Sequence, residues 1–487
     1  MAAANGHAPA QHKTLIEGLE FVLTVDPDDT RLEDASMVVI DDRIAALGPR
    51  EELASQFARK ELDEIIDGRG RGAIPGLVDT HVHLSETLSR ASFPDNLGTR
   101  AWVFHWAKPF YAHVDEDDER TSVLLGTAEM LRSGTTCFLD MGSQNDPGIT
   151  ARAADEIGIR GIVARHAADR VPDHLPRGWS REMVAHHFFP DSETALRELR
   201  LAVETWNGYA DGRIRCWVNI EGKEPCSIEL HVDARALAEE LGVGTTYHIA
   251  SSRQEAQLAR ERYGVDPVSR IAQHGGLGSN LVLAHAVAVR DHEIPLLSQA
   301  GTKVSFCPGT SLKLGKGATN IGRYPEMIDA GMTVGLGTDG AAASGNMNLM
   351  RQVHLVAGLF KDARIDENII GAAKALRMAT IDGATALGWA HDVGSLEVGK
   401  KADFVLLDLD HHEWVPYADP LQALVWSATS ASISQTWVDG KCLLRDGWIQ
   451  TVDEPSIRAE ARAAAHRILH RAGLDRAGIP VTTDLYS

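Results

Sequence analysis

The chain has 487 residues, 44% apolar and 24% charged, the balance of a globular protein long enough for one large domain and a smaller one. Its formal net charge of −20, with no block of Lys or Arg, argues against nucleic acid and anionic membrane surfaces as partners, and no apolar run reaches the length of a membrane span. Five scattered cysteines (Cys137, Cys216, Cys226, Cys307, Cys442), odd in number and without CxxC spacing, argue against a disulfide framework and lead us to expect a reducing, cytoplasmic compartment.

Residues 1–13, "MAAANGHAPAQHK", lack the apolar centre of a signal peptide and read as a loose polar tail. Residues 14–73 carry short strand patterns, "TLIEGLEFVLTV" and "ASMVVIDDRIAALG". From 74 to 396, β-branched runs alternate with amphipathic helical stretches such as "SETALRELRLAVETW", several of which end on Gly. The runs are 76–84, 135–142, 158–166, 214–223, 244–250, 280–287, 303–311 and 333–340. Parallel strands need crossover helices, so eight such units predict an α/β fold of the (β/α)8, TIM-like barrel type. A doubly wound sheet is the rival, but its glycine-rich phosphate fingerprint is absent. Residues 397–450 return to strand patterns, "ADFVLLDL" and "SQTWVDGKCLLRDGWI", and are expected to join 14–73 in a small composite β-sandwich. Residues 451–487, rich in Ala and Arg at their start, read as a helical tail.

The C-terminal ends of barrel strands converge on one mouth. The first strand ends with His81 and His83, at i and i+2 on one side, the fifth carries His248, the sixth His285, and the eighth ends at Asp339. A lone strand histidine is usually a hydrogen-bonded core residue. Four of them with a carboxylate, all at strand ends, point instead to a divalent metal, one or two ions per chain, with Zn the first choice and Co, Mn or Fe the alternatives.

These motifs resemble the metal-dependent amidohydrolase superfamily, in particular the branch that contains atrazine chlorohydrolase and related ring deaminases. The resemblance rests on "IPGLVDTHVHL", "SGTT" at 133–136, "LAHAV", "GLGTDG" and "MATIDGATALG" followed by "VGSLEVGKKADFVLLD", and spans nearly the whole chain. It implies hydrolysis at a divalent metal with His81, His83, His248 and Asp339 as ligands. The chain departs from the branch at Ser251, where a proton-shuttling Glu is usual, and in "CPGTS" at 307–311. A serine hydroxyl cannot take up and return a proton near neutral pH as a carboxylate does.

Lys223 ends the fourth strand, where binuclear members of the superfamily hold a lysine carboxylated by carbon dioxide. So modified, it would bridge two metals, one on His81, His83 and Asp339 and the other on His248 and His285. The alternative is an unmodified Lys223, paired with Glu221 or Glu224 beside a single metal, with His285 free to polarise a substrate carbonyl. The expected catalytic residues are therefore Asp339, as proton acceptor and donor, His285 and Lys223. The loss of the shuttling Glu favours an amide, urea, carbamate or thiocarbamate, in the manner of phenylurea hydrolase and molinate hydrolase. The rivals are an aminohydrolase or dechlorinase acting on a triazine, purine or pyrimidine ring, and an inactive barrel serving as an interaction protein. Trp102, Trp106, Arg165, His166, Arg170, His187, Ser251 and Cys307 are expected to line the small-molecule pocket, and the resemblance implies a homo-oligomer, a dimer or tetramer.

Overall fold

Eight parallel strands follow one another around a barrel in chain order, and both chain ends contribute to a second sheet beside it. The computed structural model describes residues 11–173, 175–176 and 179–475. The second sheet begins with β1 (Lys13–Leu23), β2 (Arg31–Ile40), β3 (Arg43–Pro49), β4 (Glu64–Asp67) and β5 (Arg71–Pro75). The barrel follows as β6 (Leu77–Val82), β7 (Thr135–Asp140), β8 (Arg160–Ala167), β9 (Ile214–Gly222), β10 (Thr245–Ile249), β11 (Leu281–His285), β12 (Lys303–Phe306) and β13 (Val334–Leu336). Each of the eight matches one of the runs read from the sequence. The sheet is completed by β14 (Phe404–Asp408), β15 (Ile433–Val438), β16 (Lys441–Arg445) and β17 (Trp448–Ile449).

The barrel ladder runs from β6 to β13, and bonds between its first and last strands close the gap. Thr80 Oγ1 donates to the Leu336 carbonyl at 2.9 Å, and the Asp339 amide donates to the His81 carbonyl at 2.8 Å. Asp79 accepts from the Thr338 amide and hydroxyl at 3.1 and 2.6 Å. At the end of β9, Gly222 (φ 79°) lies so close to β10 that a Cβ there would meet the His248 carbonyl oxygen at 2.3 Å. Only glycine permits that approach.

The expected composite unit of both chain ends is present, built as one continuous nine-stranded sheet. Pairing of β5 with β14, in antiparallel register from Pro75 opposite Phe404, fuses the two ends of the chain. Ile16, Met37 and Ile44 from one half share a core with Phe404, Leu406 and Trp437 from the other. The predicted C-terminal helix is present at Glu454–Arg471 and packs on the helix Glu116–Arg132, where Arg467 and Arg471 reach the buried Asp118 at 2.9 and 2.8 Å. Residues 1–10 and 476–487, parts of the two predicted tails, lie outside the described residues.

Arg160 of β8 pins the barrel to the second sheet. Its guanidinium donates to Asp403 at 2.8 and 3.0 Å and to Asp439 at 2.5 Å, with the Asp403 side chain only 1% exposed. An Arg160→Met replacement strands that carboxylate without a counter-charge, and is expected to cost about 3–5 kcal/mol. Urea unfolding of the variant checks this; a midpoint within error of the parent would show that the pair contributes nothing to the interface.

Candidate metal centre

His81, His83, His248, His285 and Asp339 come from four strand ends and meet at the barrel mouth, all buried. Asp339 Oδ1 lies 3.7 Å from His81 Nε2 and 3.5 Å from His83 Nε2, and Oδ2 lies 3.7 Å from His285 Nε2. His83 Nε2 and His248 Nε2 are 3.2 Å apart. Two overlapping donor triads result, His81–His83–His248 and His81–His285–Asp339, each with its ligand atoms within 4.8 Å of one another. Imidazole and carboxylate donors at these separations surround a point that a divalent cation fits.

Two further observations support that fit. Both ring nitrogens of His81 are buried and have no hydrogen-bond partner, a costly state that a bound cation relieves at one of them. The outer nitrogens of two other histidines are engaged: His248 Nδ1 lies 2.9 Å from the Glu221 carbonyl, and His83 Nδ1 lies 3.3 Å from Glu86 Oε1. These contacts aim each Nε2 inward. Backbone geometry is unusual here too, since Lys223 (φ 58°), His285 (φ 69°) and Asp339 (φ 64°) all occupy the left-handed region. Non-glycine residues are held there where a site demands it.

Charge in the site is finely divided. Burial pushes His81 down to about 3 and holds His248 and His285 well below the usual histidine range, which keeps their lone pairs available. Burial would also lower His83, but the carboxylates of Glu86, Asp339 and Asp140 together outweigh it and raise it to about 9. Burial would raise the Asp339 carboxyl, yet the imidazoles of His81 and His83 and the ammonium of Lys316 together hold it below the usual carboxylate range.

The surrounding cavity, about 80 Å³, is lined by His83, His248, His285 and Asp339 and by several of the other expected residues: Trp102, His166 and Lys223. The charge of Lys223 adds to burial in depressing His248. The remaining six lie off the cavity wall. Trp106 packs on Phe93 in a satellite core, with ring centroids 6.1 Å apart. The Arg165 guanidinium stacks over Phe189, Arg170 donates to the Tyr263 hydroxyl at 3.1 Å, and His187 is bound to the Lys108 carbonyl at 2.8 Å. Ser251 is fully buried beside Glu255, which accepts its amide hydrogen, and Cys307 packs beneath His81 at Gly337.

Three charged residues of the cavity wall had no assigned role in the sequence reading, Glu86, Lys108 and Lys316, and a fourth, Glu221, was considered only as a partner for Lys223. Lys316 is buried with Nζ 3.2 Å from His285 Nε2, and burial lowers it to about 8 against the opposing pull of Asp339. The signal for it was "LGKG": Gly315 (φ 58°) and Gly317 (φ 83°) turn the chain on either side.

A parallel barrel with imidazole and carboxylate groups gathered at its C-terminal mouth is the arrangement found in metal-dependent hydrolases. The sequence profile of the amidohydrolase family matches residues 73–443, and the chain belongs to that family, hydrolases of carbon–nitrogen bonds. It is 30% identical over 455 residues to a 5-methylthioadenosine/S-adenosylhomocysteine deaminase of Acetivibrio thermocellus, covering 92% of this chain and 98% of the relative. It is 32% identical over 452 residues to a 5'-deoxyadenosine deaminase of Methanosarcina acetivorans, covering 93% and 98%. Among solved structures, an adenosine deaminase from Xanthomonas campestris with bound zinc superimposes with a TM-score of 0.83 at 26% identity, over 94% of this chain and 99% of that one. Atrazine chlorohydrolase from Arthrobacter aurescens in complex with zinc gives 0.81 at 26% identity, over 93% and 100%. Among the described residues no helix is long and apolar enough to cross a membrane.

Proposed function

We propose that this amidohydrolase cleaves the C–N bond at an acyl-type carbon, that of an amide, urea, carbamate or thiocarbamate of low molecular mass. The observation that carries this reading is the Lys316 ammonium beside His285, inside the cavity. Attack on an acyl-type carbon gathers negative charge on one oxygen, and a buried cation with spare N–H donors is suited to receive it. Ring deamination instead needs a group that passes a proton to a ring nitrogen, and the fifth-strand position for it is Ser251, buried and off the cavity wall.

His81, His83, His248 and Asp339 would hold a divalent cation, zinc by preference, which when bound would supply Lewis acidity and acidify water toward a pKa of about 7. The chain's own groups do the rest. Asp339 takes the proton of the attacking water on its carboxylate and delivers it to the departing nitrogen. Lys316 donates to the developing oxyanion. Trp102, Val103 and Tyr111 wall the cavity and limit access of bulk water. The Lys316–His285 contact favours one cation over two, because it engages the imidazole nitrogen that a second cation would need. Carboxylation of Lys223 belongs to the two-cation arrangement. Intact mass and metal content decide between them: an added carbon dioxide and two ions per chain would replace the single-cation reading.

A second reading, an aminohydrolase of a heteroaromatic ring, is favoured by the deaminase relatives, which align over nearly the whole chain. The zinc-loaded enzyme, assayed on ureas, carbamates and amides beside aminotriazines and adenine nucleosides, is expected to turn over the first group and to lose that activity on chelation. Ammonia release from the rings alone would overturn the proposal.

A further inference from the structure

Lys108 and Glu221 form a buried ion pair to which the hydrolytic chemistry assigns no task. Lys108 Nζ lies 2.6 Å from Glu221 Oε2, with the two side chains 5% and 12% exposed. Lys108 comes from the helical loop after β6, and Glu221 sits one residue before the end of β9. The Glu221 carbonyl holds His248 Nδ1, so the metal centre itself sets where this residue stands. Glu221 lines both the metal cavity and an adjoining chamber of about 410 Å³, at a junction it shares with Thr99, Val103 and Lys223.

The two carboxylate oxygens are not equivalent. Oε2 is taken by Lys108 and faces His166 Nε2 at 3.7 Å. Oε1 receives no hydrogen bond among the described residues. A buried ion pair is a weak stabiliser, so stability alone gives little reason to keep one at the mouth of a reaction cavity. An ionised acceptor with one open oxygen, fixed at the junction of two chambers, discriminates strongly: a ligand with an N–H satisfies it, and a ligand without one leaves it buried and unpaired.

We propose that Glu221 is a specificity-determining residue whose Oε1 accepts an N–H of the bound substrate, with Lys108 as the positioning residue that holds the carboxylate. The preferred class is then a urea, carbamate or secondary amide bearing at least one N–H on the side facing the larger chamber, and fully N-alkylated analogues are rejected. This inference rests on the acyl-carbon reading for its substrate class, although the contact itself is read by binding rather than by turnover.

The test compares dissociation constants of N,N'-dimethylurea and tetramethylurea on the zinc-loaded full-length enzyme by calorimetry, with turnover assayed in parallel. The parent is expected to bind dimethylurea at least about tenfold more tightly, and Glu221→Gln to bring the two within about twofold. Glu221→Asp keeps the charge that Lys108 needs but withdraws the carboxylate by one methylene, and is also expected to lose the preference. No preference in the parent, or a preference kept by both variants with only their thermal stability changed, would overturn the proposal and leave the pair as a strut. A parent that shows the preference but hydrolyses none of the ureas, carbamates or amides would defeat the acyl-carbon reading and leave the role of Glu221 standing.

Discussion

Asp339→Asn is expected to lower kcat by about 10²–10⁴-fold while the protein keeps its fold and much of its metal. Asp339 ends the last barrel strand with φ 64° and sits 3.5–3.7 Å from three imidazole nitrogens. Oδ1 accepts the Gly340 amide hydrogen at 2.7 Å, so the carboxylate is held in one orientation. An asparagine has nearly the same shape, and its carbonyl oxygen can still face a cation. It cannot take up a proton near neutral pH. The substitution therefore separates two tasks that Asp339→Ala would remove together. Metal content per chain and kcat are measured on the same preparation. A variant that retains metal and turns over within about tenfold of the parent would remove Asp339 from proton transfer.

The barrel was legible because its signal is repeated. Eight β-branched runs, each followed by a helical stretch, leave few alternatives, and the chemistry of such a barrel stands at known ends of known strands. His81, His83, His248, His285 and Asp339 were found in this way, and the structure brings all five together. Groups delivered by loops were harder to read. Trp106, in the aromatic loop 102–111 after the first barrel strand, and His187, in the loop after the third, suit a pocket in composition, but their positions depend on packing against Phe93 and on a bond to the Lys108 carbonyl. Neither contact leaves a periodic trace. Lys316 is set by two left-handed glycines, and Glu86 by the short helical turn Leu84–Ser89 that follows His83. Glu221 was noticed only as a possible partner for Lys223, whereas the structure pairs it with Lys108, 113 positions away. That the two chain ends share one β unit was legible from their strand patterns, but not the pairing of β5 with β14 that joins them across more than three hundred residues, because strand patterns do not specify their own partners.

Lys316→Met is expected to reduce kcat by about 10²–10³-fold on an amide, urea or carbamate, with a smaller change in KM and no change in metal content. The ammonium lies inside the cavity, donates to His285 Nε2 at 3.2 Å and keeps other N–H donors for a substrate oxygen. Burial lowers it to about 8, while the carboxylate of Asp339 favours its charged form. Methionine fills much the same space without charge, so a loss of rate reports on the cation rather than on a hole in the wall. The effect on stability has the opposite sign from that of Arg160→Met. Burial of the Lys316 ammonium costs more than the attraction of Asp339 returns, and the neighbouring Lys223 adds repulsion, so removing the charge should hold or raise the melting temperature. Slower catalysis in an equally or more stable protein is what a group kept for oxyanion stabilisation produces. Unchanged kcat would deprive the acyl-carbon reading of its oxyanion donor, and a large fall in melting temperature would make Lys316 a structural residue instead.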